Sequence, residues 1–203
     1  MKGLALLLLV ASAAVVAQTP VEAKTILVIG DSISAGYGIQ RDAGWVALLD
    51  AKVAARKPPS RVVNASISGD TTGGALARLP RTLELHKPDI VVIELGGNDA
   101  LRGYPVESIE RNLDAMVTIA KVSGATVVLL GMEIPPNYGA RYTEAFHKLF
   151  ADVARRAGVA LVPFLLDGVA TDASLMQADG IHPTAAAQPR LLTNVWPTLE
   201  SVL

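Results

Sequence analysis

Thr25-Ile-Leu-Val-Ile29, running straight into Gly30-Asp31-Ser32, is the stretch from which the rest of the chain can be read. Five consecutive β-branched or aliphatic residues without polar alternation describe a strand buried on both faces. A sheet with one wet face would alternate, whereas a parallel sheet covered by helices on both sides would not.

Working outward, the pattern recurs. Strands are expected at residues 61–65, at Ile90-Val-Val-Ile-Glu-Leu95, at 126–130 and at 160–164, the last interrupted by Pro163 and therefore placed at an edge. Segments of helical period lie between them. Residues 44–55 end at Lys57-Pro58-Pro59, and residues 74–85 contain Pro80, expected to kink the helix or start a new turn. Residues 105–122 begin with proline and carry an apolar stripe of Val106, Ile109, Leu113, Met116, Val117 and Ala120. Residues 140–157 close on Gly158, and 185–203 form a last helix disturbed by Pro189 and Pro197. Strand and helix alternate throughout, which predicts one α/β domain: a doubly wound, mostly parallel sheet with helices on both faces, three layers in all. No linker, repeat or low-complexity stretch divides it.

Composition agrees. The 203 residues are 51% hydrophobic and 18% charged, which suits a large core and not disorder. The net charge of −1 comes without a basic run or a basic-aromatic stripe, so no nucleic-acid partner is expected. Cysteine is absent, which excludes disulfides, thiolate metal sites and cysteine nucleophiles. The N-terminus reads as a targeting segment. Lys2 precedes the apolar run LALLLLVASAAVVA, and Val21 and Ala23 suit the −3 and −1 positions of a signal peptidase site. The run is shorter than the roughly 20 residues that span a bilayer. The expectation is a cleaved leader over 1–23, a domain over 24–203, and a periplasmic or secreted product without a stable membrane anchor. A retained anchor or a cut after Ala17 are the alternatives.

In a doubly wound sheet, functional groups gather at the carboxyl ends of the strands. The first end places Ser32 two residues beyond the strand, either as a nucleophile or as part of a structural turn. The second, Ser66-Ile67-Ser68-Gly69-Asp70-Thr71, offers a Gly69 backbone N–H that a substrate oxygen could approach, or a turn before a helix cap at Asp70 or Thr71. The third, Gly96-Gly97-Asn98-Asp99, offers the Asn98 amide to an oxyanion, or an Asx turn. A hydrolytic serine needs a base, and the chain has three histidines. His86 sits at a helix end and His147 inside a helix with a surface or boundary role. His182 lies in the turn-rich loop Asp179-Gly180-Ile181-His182-Pro183, where Asp179 can reach the imidazole; a capping aspartate beside a chance histidine is the other reading.

Together these segments resemble the GDSL, or SGNH, hydrolase family. Gly30-Asp31-Ser32 with Ile33 in place of the usual leucine, Gly69, Asn98 in Gly96-Gly97-Asn98-Asp99, and Asp179 with His182 match its four blocks in order. Asn64-Ala-Ser-Ile-Ser-Gly-Asp-Thr71, the segment from Glu94 to Gly103, and Pro136-Asn-Tyr-Gly139 are similar to the bacterial periplasmic multifunctional thioesterase, arylesterase and lysophospholipase group. The resemblance implies a flavodoxin-like five-stranded sheet and a Ser32–His182–Asp179 triad. It also implies an oxyanion hole built from the Ser32 and Gly69 N–H groups and the Asn98 amide.

The activity expected is hydrolysis of aryl, fatty acyl or lysophospholipid esters, and of acyl thioesters, by a monomer. No cofactor or metal is expected, since no compact His/carboxylate cluster has ligand spacing. Leu101, Tyr104, Ile134, Tyr138 and Ile181 are candidates for an apolar acyl-binding wall, or for caps on the core. A carbohydrate acetylesterase on the same fold, or a non-catalytic lipid-binding module, are the competing readings.

Overall fold

In the computed structural model, residues 22–203 are described. The expected leader, save its last two residues, lies outside them. Five strands, β1 (Thr25–Gly30), β2 (Arg61–Asn64), β3 (Ile90–Glu94), β4 (Thr126–Leu130) and β5 (Ala160–Val162), form one sheet in the order β2-β1-β3-β4-β5. Every pairing is parallel. Ile26 to Ile29 and Ile90 to Ile93 are wholly buried, because helices cover both faces. The expected three-layer, flavodoxin-like sheet is therefore observed.

Among the described residues, seven α-helices flank the strands: α1 (Ser32–Ala35), α2 (Trp45–Ala54), α3 (Thr72–His86), α4 (Gly97–Leu101), α5 (Val106–Val122), α6 (Ala140–Ala157) and α7 (Gln188–Glu200). α2 packs against α7 on one side, and α5 packs between α3 and α6 on the other. The apolar stripe expected on α5 is its buried face: Ile109, Leu113, Met116, Val117 and Ala120 are each 0% exposed.

Three proline-bearing segments differ from expectation. Pro80 neither ends nor restarts α3, which runs unbroken from a Thr71 cap whose hydroxyl accepts the Gly74 N–H. β5 ends at Val162, before the proline. The last segment opens with a 3-10 turn at Ala185–Ala187, and α7 starts only at Gln188, placing Pro189 in its first turn, where a missing N–H costs nothing.

The chain leaves β1 toward β2 on one side and later returns to β3 on the other. The carboxyl ends of β1 and β3 are thus the switch point where such sheets open a crevice. Register pairs Gly30 with Glu94 across those ends, so the segments leaving the two strands meet there.

Candidate active site

Ser32 begins α1 directly after β1. Asp31 caps this short helix, its Oδ1 accepting the Ile33 N–H at 3.0 Å. The serine is 9% exposed, so its hydroxyl stands in a nearly closed setting. Gly30 has no room for a side chain: a β-carbon there would lie 2.5 Å from Glu94 Oε2 and 2.9 Å from Ser34. That close approach seats α1 on the end of β3.

His182 arrives from the far end of the chain. Its Nε2 lies 2.9 Å from Ser32 Oγ, and its Nδ1 lies 2.6 Å from Asp179 Oδ2. The other Asp179 oxygen accepts the N–H groups of Ile181 (2.9 Å) and His182 (3.0 Å). Three donors on one carboxylate hold its pKa down at about 2, the imidazole bond contributing most. The Tyr37 ring lies against the imidazole, with centroids 4.5 Å apart. Gln177 braces the loop: its Nε2 donates to the carbonyls of Tyr37 (2.8 Å) and Pro183 (3.0 Å), and its backbone N–H donates to His182 O at 2.7 Å.

Gly69 has φ of +80°, and nothing lies within 4 Å of where a β-carbon would stand. Among the described residues, neither its N–H nor that of Ser32 donates to any protein group. The Gly69 loop is fixed from behind. Arg102 donates to the Gly69 carbonyl (3.0 Å), while Arg78 bridges Asp70 (2.8 Å) and the Ala65 carbonyl (2.7 Å). Asn98 stands in α4 and not in the Asx turn that was its alternative reading; its Nδ2 donates to Asp31 Oδ2 at 3.0 Å. α4 is itself moored by Asp99, whose carboxylate accepts the Thr72 N–H (2.8 Å) and hydroxyl (2.6 Å).

Ser32, His182 and Asp179 thus stand in one hydrogen-bonded line, and Asn98 is held beside them by Asp31. Tyr138 donates to the Leu101 carbonyl (3.1 Å) and Tyr142 to the Tyr104 carbonyl, so the loops after β3 and β4 are tied together. Tyr138 also lines a cavity of about 490 Å³ between Pro105, Val106, Arg141 and Tyr142. Ile134 packs against the core, as the capping alternative supposed, while Ile181, 39% exposed, projects from the His182 loop. His147 pairs with Glu133 at 3.1 Å on the surface. Asp31, Glu94, Arg78, Arg102 and Gln177 all support the site in ways that sequence reasoning misses. Their only signal is that several adjoin the motif residues.

The model of the GDSL-like lipase/acylhydrolase family matches residues 28–189. The esterase TesA of Pseudomonas aeruginosa is 56% identical over 181 residues, covering 89% of this chain and 90% of that protein. An arylesterase of Vibrio mimicus is 46% identical, covering 81% and 82%. The thioesterase 1/protease 1/lysophospholipase L1 of Escherichia coli is 44% identical, covering 82% and 79%. A crystal structure of TesA superposes with a TM-score of 0.86 at 56% identity, covering 89% of this chain and all (100%) of that one. By sequence over most of its length, and by the course of its backbone, the chain belongs to the GDSL-like lipase/acylhydrolase family.

Proposed function

We propose that this chain is a serine carboxylic-ester hydrolase working through an acyl-Ser32 intermediate. The observation that carries the reading is the line Ser32 Oγ, His182, Asp179, with contacts of 2.9 and 2.6 Å. Asp179, ionised down to about pH 2, can only accept, so it fixes the proton of neutral His182 on Nδ1 and leaves Nε2 free as a base.

His182 Nε2 takes the Ser32 proton as Oγ attacks the ester carbonyl. The carbonyl oxygen becomes an oxyanion facing the Ser32 and Gly69 N–H groups and the second hydrogen of the Asn98 amide. The intermediate collapses, and His182 returns the proton to the departing alcohol. Water, deprotonated by the same imidazole, then attacks the acyl carbonyl, and the imidazolium passes that proton to Ser32 Oγ as the acid departs. These side chains and N–H groups account for every proton moved, so the chemistry calls for no cofactor.

The relatives' names (esterase, arylesterase, thioesterase and lysophospholipase) favour aryl and fatty acyl esters, lysophospholipids and acyl thioesters as substrates. Exposed Tyr104, Tyr138 and Ile181 supply apolar surface for such groups. The leader pattern at 1–23 supports export to the periplasm, where the enzyme would act as a monomer on small esters and lipids.

Replacing Ser32 by alanine is expected to lower kcat on a p-nitrophenyl butyrate assay by about 10⁴-fold or more. The thermal midpoint should stay near that of the parent protein. Activity within tenfold of the parent would overturn the assignment.

A further inference from the structure

We propose that Asp31, the residue before the nucleophile, is a positioning residue: its Oδ2 fixes which end of the Asn98 amide faces the substrate oxygen. The inference rests on the reading of Asn98 as an oxyanion donor. Asn98 contributes only if its nitrogen, and not its carbonyl, points into the site, and an amide presents either end with little change of shape. Asp31 removes that choice. Its side chain is held by the Ile33 N–H on Oδ1 and by Asn98 Nδ2 on Oδ2, each at 3.0 Å. A carboxylate oxygen accepts and cannot donate, so a flipped Asn98 would set carbonyl against carboxylate. With one amide hydrogen given to Asp31, the other is left for the oxyanion. The arrangement parallels Asp179, which does the same for the tautomer of His182.

A second observation shows how Asp31 can keep its charge in a place where it is 2% exposed. Glu94 lies directly beneath, fully buried, with Oε2 accepting the Ser34 hydroxyl (2.6 Å) and the Asp31 N–H (3.2 Å). Its Oε1 is buried and has no partner among the described residues. An ionised carboxylate with one bare oxygen at such depth is costly, and two adjacent charges more so. Burial and the neighbouring Asp31 both push the Glu94 carboxyl well above the ordinary range. Glu94 therefore holds the proton and Asp31 the charge. Asp31 is also raised by burial, but the Ile33 N–H, the Asn98 amide and the facing His182 all favour its ionised form.

Two substitutions separate this role from helix capping. Asp31→Asn offers one acceptor oxygen to two donors, so either the cap or the Asn98 anchor is lost. Asp31→Ser keeps a capping oxygen for the Ile33 N–H but cannot reach Asn98. Removing one oxyanion donor lowers kcat by about 10²–10³-fold, and misorienting it should cost about 10- to 100-fold. On p-nitrophenyl butyrate each variant is expected to lose about that much in kcat, with KM within about twofold. The decisive measurement repeats both in an Asn98→Ala background, where the Asp31 changes should add less than about threefold because the group they orient is gone. If the Asp31 losses multiply fully onto Asn98→Ala, or appear in KM alone, the positioning role is overturned while the oxyanion assignment stands. If Asn98→Ala itself leaves kcat unchanged, both readings fall. Should Asp31→Asn not fold, the serine variant decides alone.

Discussion

Glu94, fully buried at the end of β3, accepts the Ser34 hydroxyl and the Asp31 N–H on one carboxylate oxygen. In Ile90-Val-Val-Ile-Glu-Leu95 it reads as one polar interruption of a buried strand. Its burial beside Asp31 depends on the register that pairs Gly30 with Glu94, which local pattern does not encode. Ser32, Gly69, Asn98 and His182 were legible only as a set, because each alone fits a turn, a cap or a surface position. The buried acid has a measurable consequence. Its carboxyl is raised above the ordinary 4.5, so folding takes up a proton in the pH range above that value. Below it, both folded and unfolded states are protonated and nothing is lost. As pH rises toward the folded value, the unfolded chain ionises and the native one does not, and stability falls by up to about 1.4 kcal/mol per pH unit from this group. A Glu94→Gln variant keeps an acceptor oxygen for the Ser34 hydroxyl and the Asp31 N–H and cannot titrate there. Urea midpoints of the two proteins between pH 4 and 9 are expected to diverge in favour of glutamine as pH rises. A difference independent of pH would show that Glu94 is ionised in the native state.

Among the elements, the long ones were readable and the short ones were not. α5 and α6 follow from period and stops, whereas α1 and α4, at four and five residues, are too short to show a period. Yet those two helices carry Ser32 and Asn98, so the local geometry of the site escaped the pattern that located it. The His182 loop escaped for another reason: its position is set by contacts across the whole sequence. Gln177 reaches the Tyr37 carbonyl 140 residues away, and an antiparallel bridge joins Met176 to Pro183. Replacing Gln177 by alanine deletes both side-chain hydrogen bonds and frees the loop from the segment behind α1. Because a misplacement of about 1 Å can cost up to about 100-fold, kcat is expected to fall roughly tenfold. Ser32 itself should remain reactive toward a fluorophosphonate, at a rate reduced in parallel. An unchanged kcat would mean that the Asp179 turn alone sets the imidazole.

For the whole molecule, alternation of strands and helices was enough to name the architecture, but not the sheet order. That order follows from which strands the helices cover, and it alone explains why the ends of β1 and β3 face each other. It also bears on where the chain would begin after the proposed cleavage. Lys24 sits just before β1, an interior strand of the sheet, and its backbone N–H donates to Ser60 Oγ at 3.0 Å. Its ammonium reaches the Val202 carbonyl at 2.7 Å, and the Thr25 N–H donates to Asp89 at 2.7 Å. Among the described residues, hydrogen bonds to the rest of the domain are thus made from the residue that follows the proposed −1 alanine, Ala23. A cut there leaves a new α-amino group that can still donate to Ser60. A cut two or three residues later would take the first rung of β1, where Thr25 pairs with Arg61. Protein recovered from the periplasm of a secreting host is therefore expected to have an intact mass that starts at Lys24. Its thermal midpoint should equal that of a chain made directly from that residue. A mass retaining the apolar run 4–17, with the protein sedimenting with membranes, would show instead that the segment is a retained anchor. A start at Gln18 would place the cut after Ala17 and leave the fold unaffected.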